Sequence, residues 1–172
     1  MTQVGIKTLT PENWLQVDIV PSLLMKYSLN DGYAHLMTGE DWVALFTKSK
    51  LQATVPDNIQ VLFEVARGAL AYGYFFYPLY SLAAEQLFRV GEAAVSAKCL
   101  LVGGVNPRRN FQSKLAYLRD AKIISEIEFV DWNTIRRFRN LVSHPEQQNI
   151  FTPGQIAGVL NHMADIINKL FD

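Results

Sequence analysis

Apolar residues recur at intervals of three and four from residue 57 onward, which is the spacing that gives a helix one apolar side. Asp57 precedes the first such segment and can cap a helix. The apolar positions that follow are Ile59, Leu62, Phe63, Ala66, Ala69 and Leu70. They predict a helix that runs to about Tyr74 or Phe75, before Pro78 marks a turn.

A second helix is predicted from Leu79 to about Val102, where Gly103-Gly104 ends it. One side of this helix is apolar: Leu82, Ala83, Leu87, Val90, Ala94, Val95 and Leu101. Another side is polar: Glu85, Arg89 and Glu92. Because the connection between these two long helices is short, they are expected to form an antiparallel hairpin.

A shorter helix is predicted over residues 111–121, and Ser125 with Glu128 matches the capping box that begins a helix. The apolar stripe expected on that next helix is Ile127, Val130, Ile135, Phe138, Leu141 and Val142. It should end near Ser143, because Pro145 disfavours helical geometry in the residue before it. Thr152-Pro153 then begins a last amphipathic helix.

The first part of the chain, residues 1–56, is irregular. Thr10-Pro11 looks like a helix start, and a short strand over residues 14–17 remains an alternative there. Two short helices are predicted with a turn signal between them: Ser22–Leu29, Asn30-Asp31-Gly32 and Glu40–Phe46. The predicted fold is therefore all-α. An up-and-down bundle of four main helices and a short one, over residues 57–172, follows a mostly helical N-terminal extension over residues 1–56.

Hydrophobic residues make up 49% of the 172 residues, which is enough to build a core that is stable without disulfides or a bound metal. The single cysteine, Cys99, excludes an internal disulfide and a thiolate zinc cluster. His35 and His162 lack the neighbours of a metal motif, and no phosphate-binding glycine motif occurs, so neither a metal nor a cofactor is expected.

One long uncharged stretch, residues 68–84, could suggest a membrane span. Gly73 and Pro78 interrupt it, and it is shorter than the roughly 20 apolar residues that a spanning helix needs. The sequence therefore predicts no membrane span and a cytoplasmic protein.

Charge is balanced over the whole chain, with sixteen basic and sixteen acidic residues. It is not balanced locally, because residues 103–144 contain eight basic residues and four acidic ones. The motif Arg139-Asn140-Leu141-Val142-Ser143-His144-Pro145 lies at the end of this basic stretch. Since Pro145 frees His144 from helical geometry, the imidazole is expected to fold back toward Arg139 and Asn140 in one polar cluster.

This Arg-x4-His arrangement, late in an amphipathic helix of a small helical bundle, resembles the Arg-x4–6-His motif of HEPN domains (higher eukaryotes and prokaryotes nucleotide-binding). The resemblance covers residues 57–172 and implies a metal-independent endoribonuclease in which two chains form one composite cleft. His144 would then act as general acid and base on the ribose 2′-hydroxyl. Arg139 would hold the scissile phosphate, and Asn140 would orient the histidine or a phosphate oxygen.

Four other arginines of the basic stretch are the predicted RNA-binding residues: Arg108, Arg109, Arg136 and Arg137. The resemblance suggests a homodimer of the toxin or phage-defence kind that acts on RNA, with an antitoxin or other regulatory protein as a further partner. Two alternatives remain open. One is a non-catalytic HEPN-like module for dimerisation or ligand binding, and the other is a helical interaction protein without a polar site. Arg139 and His144 would then simply complete the end of a helix.

Overall fold

The computed structural model describes residues 7–103, 110–142 and 152–172, with the side chains of the second range described as far as Arg139. Within these ranges the chain is mostly helical, as predicted, and forms seven helices and one small sheet. The elements are α1 (Ile19–Ser22), β1 (Met25–Tyr27), β2 (Ala34–Leu36), α2 (Gly39–Thr47), α3 (Asp57–Tyr72), α4 (Leu79–Leu101), α5 (Phe111–Asp120), α6 (Glu126–Val142) and α7 (Pro153–Phe171).

Helix α4 lies at the centre of the bundle and packs against α3, α5, α6 and α7. Gly91, in the middle of α4, allows two large side chains to approach the helix backbone. A Cβ atom at Gly91 would lie 3.0 Å from Met163 Sδ on α7 and 3.4 Å from Trp132 Cζ3 on α6. Three helices therefore meet closely at this glycine, and their buried side chains form one continuous core.

Three predicted helix ends of the bundle are confirmed by their caps. The prediction that Asp57 caps α3 is wrong, because Asp57 is the first residue of the helix and Pro56 takes the N-cap position with no side-chain hydrogen bond. The Glu128 carboxylate accepts from Ser125 N at 2.7 Å, and Glu128 N donates to Ser125 Oγ at 3.3 Å. Thr152 makes the equivalent capping box with Gln155, and Pro153 occupies the first turn of α7. Gly103 has a φ of +76°, the left-handed geometry that glycine adopts at low cost just beyond a helix.

The predicted helix over residues 22–29 is wrong. The segment is instead the first strand of a hairpin, with Met25, Lys26 and Tyr27 paired to Leu36, His35 and Ala34. The predicted turn at residues 30–32 closes this hairpin, and Gly32 adopts a φ of +75° there. A hairpin turn forces its flanks into paired strands, so it excludes a helix that runs up to it. Residues 14–17 form no strand, and Thr10-Pro11 begins a turn rather than a helix.

The short helix predicted over residues 40–46 is confirmed as α2. Its Trp42 and Phe46 are fully buried, and Trp42 Nε1 donates to Leu70 O on α3 at 3.1 Å. The buried Arg67 of α3 donates to the last carbonyls of α2, through Nε to Phe46 O at 3.0 Å and Nη2 to Thr47 O at 3.1 Å. Helix α2 thus shares the core of the bundle, and a domain boundary at residue 56 stays a prediction.

Helix α6 is rotated relative to the stripe expected from its sequence. Trp132 and Ile135 face the core, and Trp132 is only 1% exposed. Ile127 is 76% exposed, and Val130 and Phe138 also lie on the surface. The large indole fits against Gly91, which fixes the rotation of the helix and leaves Ile127, Val130 and Phe138 outside, while Ile135 of the predicted stripe stays inside. Likewise Leu82 and Leu101, expected on the inner side of α4, are exposed.

Candidate functional site

Arg139 lies in the last turn of α6, on the same side of the helix as Trp132 two turns earlier. That side faces α4. The Arg139 guanidinium forms an ion pair with Glu92 of α4, with Nη2 3.2 Å from Oε2. The side chains are 42% and 30% exposed, respectively, so the pair lies at the surface and is partly shielded from water. The predicted phosphate-binding arginine is therefore accessible, and a carboxylate holds it in place.

Glu92 is the residue of this site whose role the sequence did not reveal. Glu85 and Arg89 lie on the same polar side of α4. In the described part of the chain neither of them makes an ion pair, with the other or with any other residue. The position of Glu92, seven residues after Glu85, is visible in the sequence. Its pairing with Arg139 depends on the rotation of α6, and that rotation cannot be read from the sequence.

A second polar contact continues along α4 one turn beyond Glu92. The Ser96 hydroxyl donates to the Glu92 backbone carbonyl at 2.7 Å and accepts from Lys114 Nζ of α5 at 2.8 Å. Lys114 is only 7% exposed. An arginine from α6 and a lysine from α5 thus approach consecutive turns of α4. Two positive charges, from Arg139 and Lys114, therefore lie beside the part of α4 that carries Glu92.

The other predicted site residues lie on α6 near Arg139 or fall outside the described residues, wholly or in their side chains. Arg136 donates from Nε to Asn133 Oδ1 of its own helix at 3.1 Å, and Arg137 is exposed. The backbone of Asn140 belongs to α6, but its side chain lies outside the described set. His144, Arg108 and Arg109 also lie outside it. The structure therefore leaves the expected cluster of Arg139, Asn140 and His144 as a prediction.

Other reactive side chains in the described ranges do not offer a competing site. Burial raises the pKa of the Cys99 thiol, so the thiol stays protonated at neutral pH and is a poor nucleophile. His35 Nε2 pairs with Asp31 at 2.7 Å on the exposed hairpin, and His162 is an exposed residue of α7. Over residues 7–103, 110–142 and 152–172, no three acidic, histidine or cysteine side chains are grouped so that they could hold a metal ion.

None of the helices that the structure describes has the length and apolar character needed to cross a membrane. Comparison with known proteins finds no matching family model, no matching curated protein and no matching solved structure. The resemblance to HEPN domains therefore rests on the motif and on the order of the helices. The site itself consists, in its described part, of one accessible guanidinium that is held by one carboxylate.

This arrangement is suited to binding an anion. A guanidinium carries five N–H donors in a rigid planar fork, and the ion pair to Glu92 occupies one edge of it. The remaining donors can contact a phosphate or carboxylate oxygen. Because the motif places His144 five residues further along the chain, an acid–base group and an anion-binding group would come from one short segment.

Proposed function

We propose that this protein is a HEPN-like, metal-independent endoribonuclease that acts as a homodimer. The observation that carries the proposal is the Arg139–Glu92 ion pair at the C-terminal end of α6. It holds an arginine of the motif half-exposed beside α4, at the place where the resemblance requires a phosphate-binding group. The bundle order and the capping of α6 by Ser125 and Glu128 are consistent with that resemblance.

In the proposed reaction His144 removes the proton from a ribose 2′-hydroxyl, and the 2′-oxygen attacks the adjacent phosphorus. The bond from phosphorus to the 5′-oxygen breaks, and the imidazolium returns a proton to that leaving oxygen. Histidine suits both steps because its ordinary pKa is near neutrality. Arg139 binds the non-bridging phosphate oxygens and offsets the charge that develops on them. Asn140 orients the imidazole or a phosphate oxygen.

Pairing of two chains is supported by the outer side of α6. Ile127, Val130 and Phe138 leave an exposed apolar stripe on the helix that carries the motif. A stripe of this kind on a helix commonly packs against another protein surface. A second copy that covers it would bring the two motif helices close to each other, as the composite cleft of the HEPN resemblance requires.

RNA contacts beyond the scissile phosphate are assigned to Arg136, Arg137, Arg108 and Arg109. Since the whole chain has zero formal net charge, affinity would come from this local basic stretch and would fall steeply as salt is added. A ribonuclease of this kind would act as a toxin or in phage defence. An antitoxin or another regulatory protein would restrain it.

A non-catalytic HEPN-like module for dimerisation or ligand binding is the second candidate. The observation that favours it is again the ion pair, because Glu92 of the same chain already neutralises Arg139. A protein of this class would form the dimer and bind an anionic ligand without turnover. The two candidates differ in whether RNA is cleaved.

The test incubates the purified protein with RNA in the presence of a metal chelator. Cleavage should leave 2′,3′-cyclic phosphate and 5′-hydroxyl ends. His144→Ala should abolish it while the dimer persists, and His162→Ala, which changes an exposed histidine of α7, should leave it unchanged. Cleavage that needs a divalent metal, or that survives His144→Ala, would rule out the proposed mechanism. A dimer that binds RNA without cleaving it would favour the non-catalytic module.

A further inference from the structure

We propose that Glu92 is a positioning residue for Arg139. It lowers the affinity of the site for phosphate, and in return it holds the guanidinium in the correct orientation. The inference rests on the proposed function, because it assigns a role within the same site. It starts from one contact, the 3.2 Å ion pair between Arg139 Nη2 and Glu92 Oε2. That contact joins the end of the motif helix to the middle of the central helix α4.

The position of Arg139 explains why such a residue is needed. Phe138, beside it, is exposed and lacks the burial that fixes Trp132 two turns before Arg139. A free arginine side chain samples many rotamers, and ordering it costs conformational entropy. An ion pair that already restricts the side chain reduces that cost when substrate binds. Glu92, on the rigid central helix, is the only described residue with which Arg139 pairs.

The same carboxylate lowers the net charge of the site. Glu92 cancels the single positive charge of Arg139, which weakens its attraction for a polyanion at long range. Its contact uses one edge of the guanidinium and leaves the other donors for phosphate oxygens. Removing the negative charge of Glu92 should therefore tighten RNA binding and, at the same time, slow the chemical step. A residue with a purely structural role would not produce these two opposite changes.

Glu85 provides a matched control for this inference. It lies two turns earlier on the same polar side of α4, is also partly buried, and makes no ion pair among the described residues. Glu85→Gln removes the same charge from the same helix face as Glu92→Gln. Only the second change removes the partner of Arg139. A comparison of the two variants separates a specific contact from a general change in surface charge.

The experiment measures kcat and KM for RNA cleavage in wild type, Glu92→Gln, Glu92→Asp and Glu85→Gln. For Glu92→Gln we expect KM to fall and kcat to decrease by up to about 100-fold, the effect of a misplaced catalytic contact. Glu92→Asp keeps the charge with a shorter reach and should recover part of kcat. Glu85→Gln should keep the wild-type kcat. Equal kcat values for Glu92→Gln and Glu85→Gln would overturn the inference.

Binding of a 2′-O-methylated RNA, which cannot be cleaved by this chemistry, gives a second readout at fixed ionic strength. Glu92→Gln should bind it several-fold more tightly than wild type, and Glu85→Gln should bind it distinctly less tightly than Glu92→Gln. Equal affinity for the two glutamine variants would also contradict the inference, whether or not the wild type cleaves RNA. Wild type that neither cleaves nor binds RNA would instead refute the proposed function. Thermal unfolding checks that each variant is folded.

Discussion

The two ends of α6 differ in how they are held. At the N-terminal end, the Ser125–Glu128 capping box begins the helix and Glu128 also pairs with Lys169 of α7 at 3.2 Å. Trp132 follows and is buried against Gly91 of α4. At the C-terminal end, Phe138 is exposed and Arg139 is held by one ion pair at the surface. Among the described residues of α6, Trp132 is thus held by burial and Arg139 by one ion pair at the surface.

Under the proposed function, some residues of α6 stabilise the fold and others act on RNA. The buried end supplies apolar contacts and backbone hydrogen bonds, which set the free energy of unfolding. Under the proposed function, Arg139 must remain accessible to an anion, so it cannot be stabilised by burial. Substitutions of the buried and capping residues of α6 should therefore mainly change the free energy of unfolding, and substitution of Arg139 should mainly change activity.

The largest effect on folding is expected for Trp132→Ala. Removing a fully buried indole leaves a cavity between three helices, and the free energy of unfolding should decrease by about 3–5 kcal/mol. Urea denaturation measures this change. Val130→Ala, two residues away on the exposed side, should change stability by no more than about 0.5 kcal/mol. Similar losses in both variants would contradict the rotation of α6 described above.

A smaller effect is expected for Glu128→Gln, and it should depend on pH. Hydrogen bonds from the Ser125 hydroxyl and backbone, with the nearby Lys169 ammonium, lower the pKa of the Glu128 carboxyl. A lowered folded-state pKa means that the carboxylate stabilises the fold above its unfolded pKa and loses this contribution as pH falls through the folded one.

At neutral pH the substitution should therefore destabilise the fold by about 0.3–1.5 kcal/mol. The difference between wild type and variant should shrink below about pH 4, where a glutamate is ordinarily protonated. Chemical denaturation at several pH values tests this. A difference that stays constant down to the lowest pH would show that the charge of Glu128 is not what stabilises the cap.

Arg139→Ala should change the free energy of unfolding by only about 0–1 kcal/mol, since half-exposed ion pairs contribute little. Its effect on RNA cleavage should be about 100-fold or more, the usual cost of losing a donor that stabilises developing charge. Arg137→Ala removes an exposed arginine from the same turn and should mainly weaken RNA binding, most strongly at low salt, where phosphate contacts contribute most. Equal loss of cleavage in both variants would indicate a general requirement for positive charge.

The smallest effect on the folded chain is expected for Ile127→Asp on the outer stripe. The side chain is already in water, so monomer stability should change by no more than about 0.5 kcal/mol. If the stripe is covered by a second copy, a buried carboxylate would disrupt that contact. Sedimentation velocity should then show monomers where the wild type forms dimers. A dimer that persists would place the interface elsewhere.

The sequence was sufficient for the features that depend on local chemistry. Ser125, Thr152 and Gly103 marked helix ends correctly, because caps and left-handed glycines act within a few residues. The hairpin over residues 25–36 was missed, since its strands have too few residues for a period-two pattern to be distinguished from a helical one. The rotation of α6 depends on how Trp132 fits Gly91, more than forty residues earlier, and the Glu92 contact depends on that rotation.

The contact between Arg67 and the end of α2 has a consequence for where the chain can be cut. A shortened protein that begins at Asp57 would keep the buried guanidinium but lose both carbonyl acceptors, Phe46 O and Thr47 O. It would also uncover the core surface that Trp42 and Phe46 occupy. Such a fragment should be prone to aggregation. In any fusion or truncation, residues 39–47 belong with the bundle.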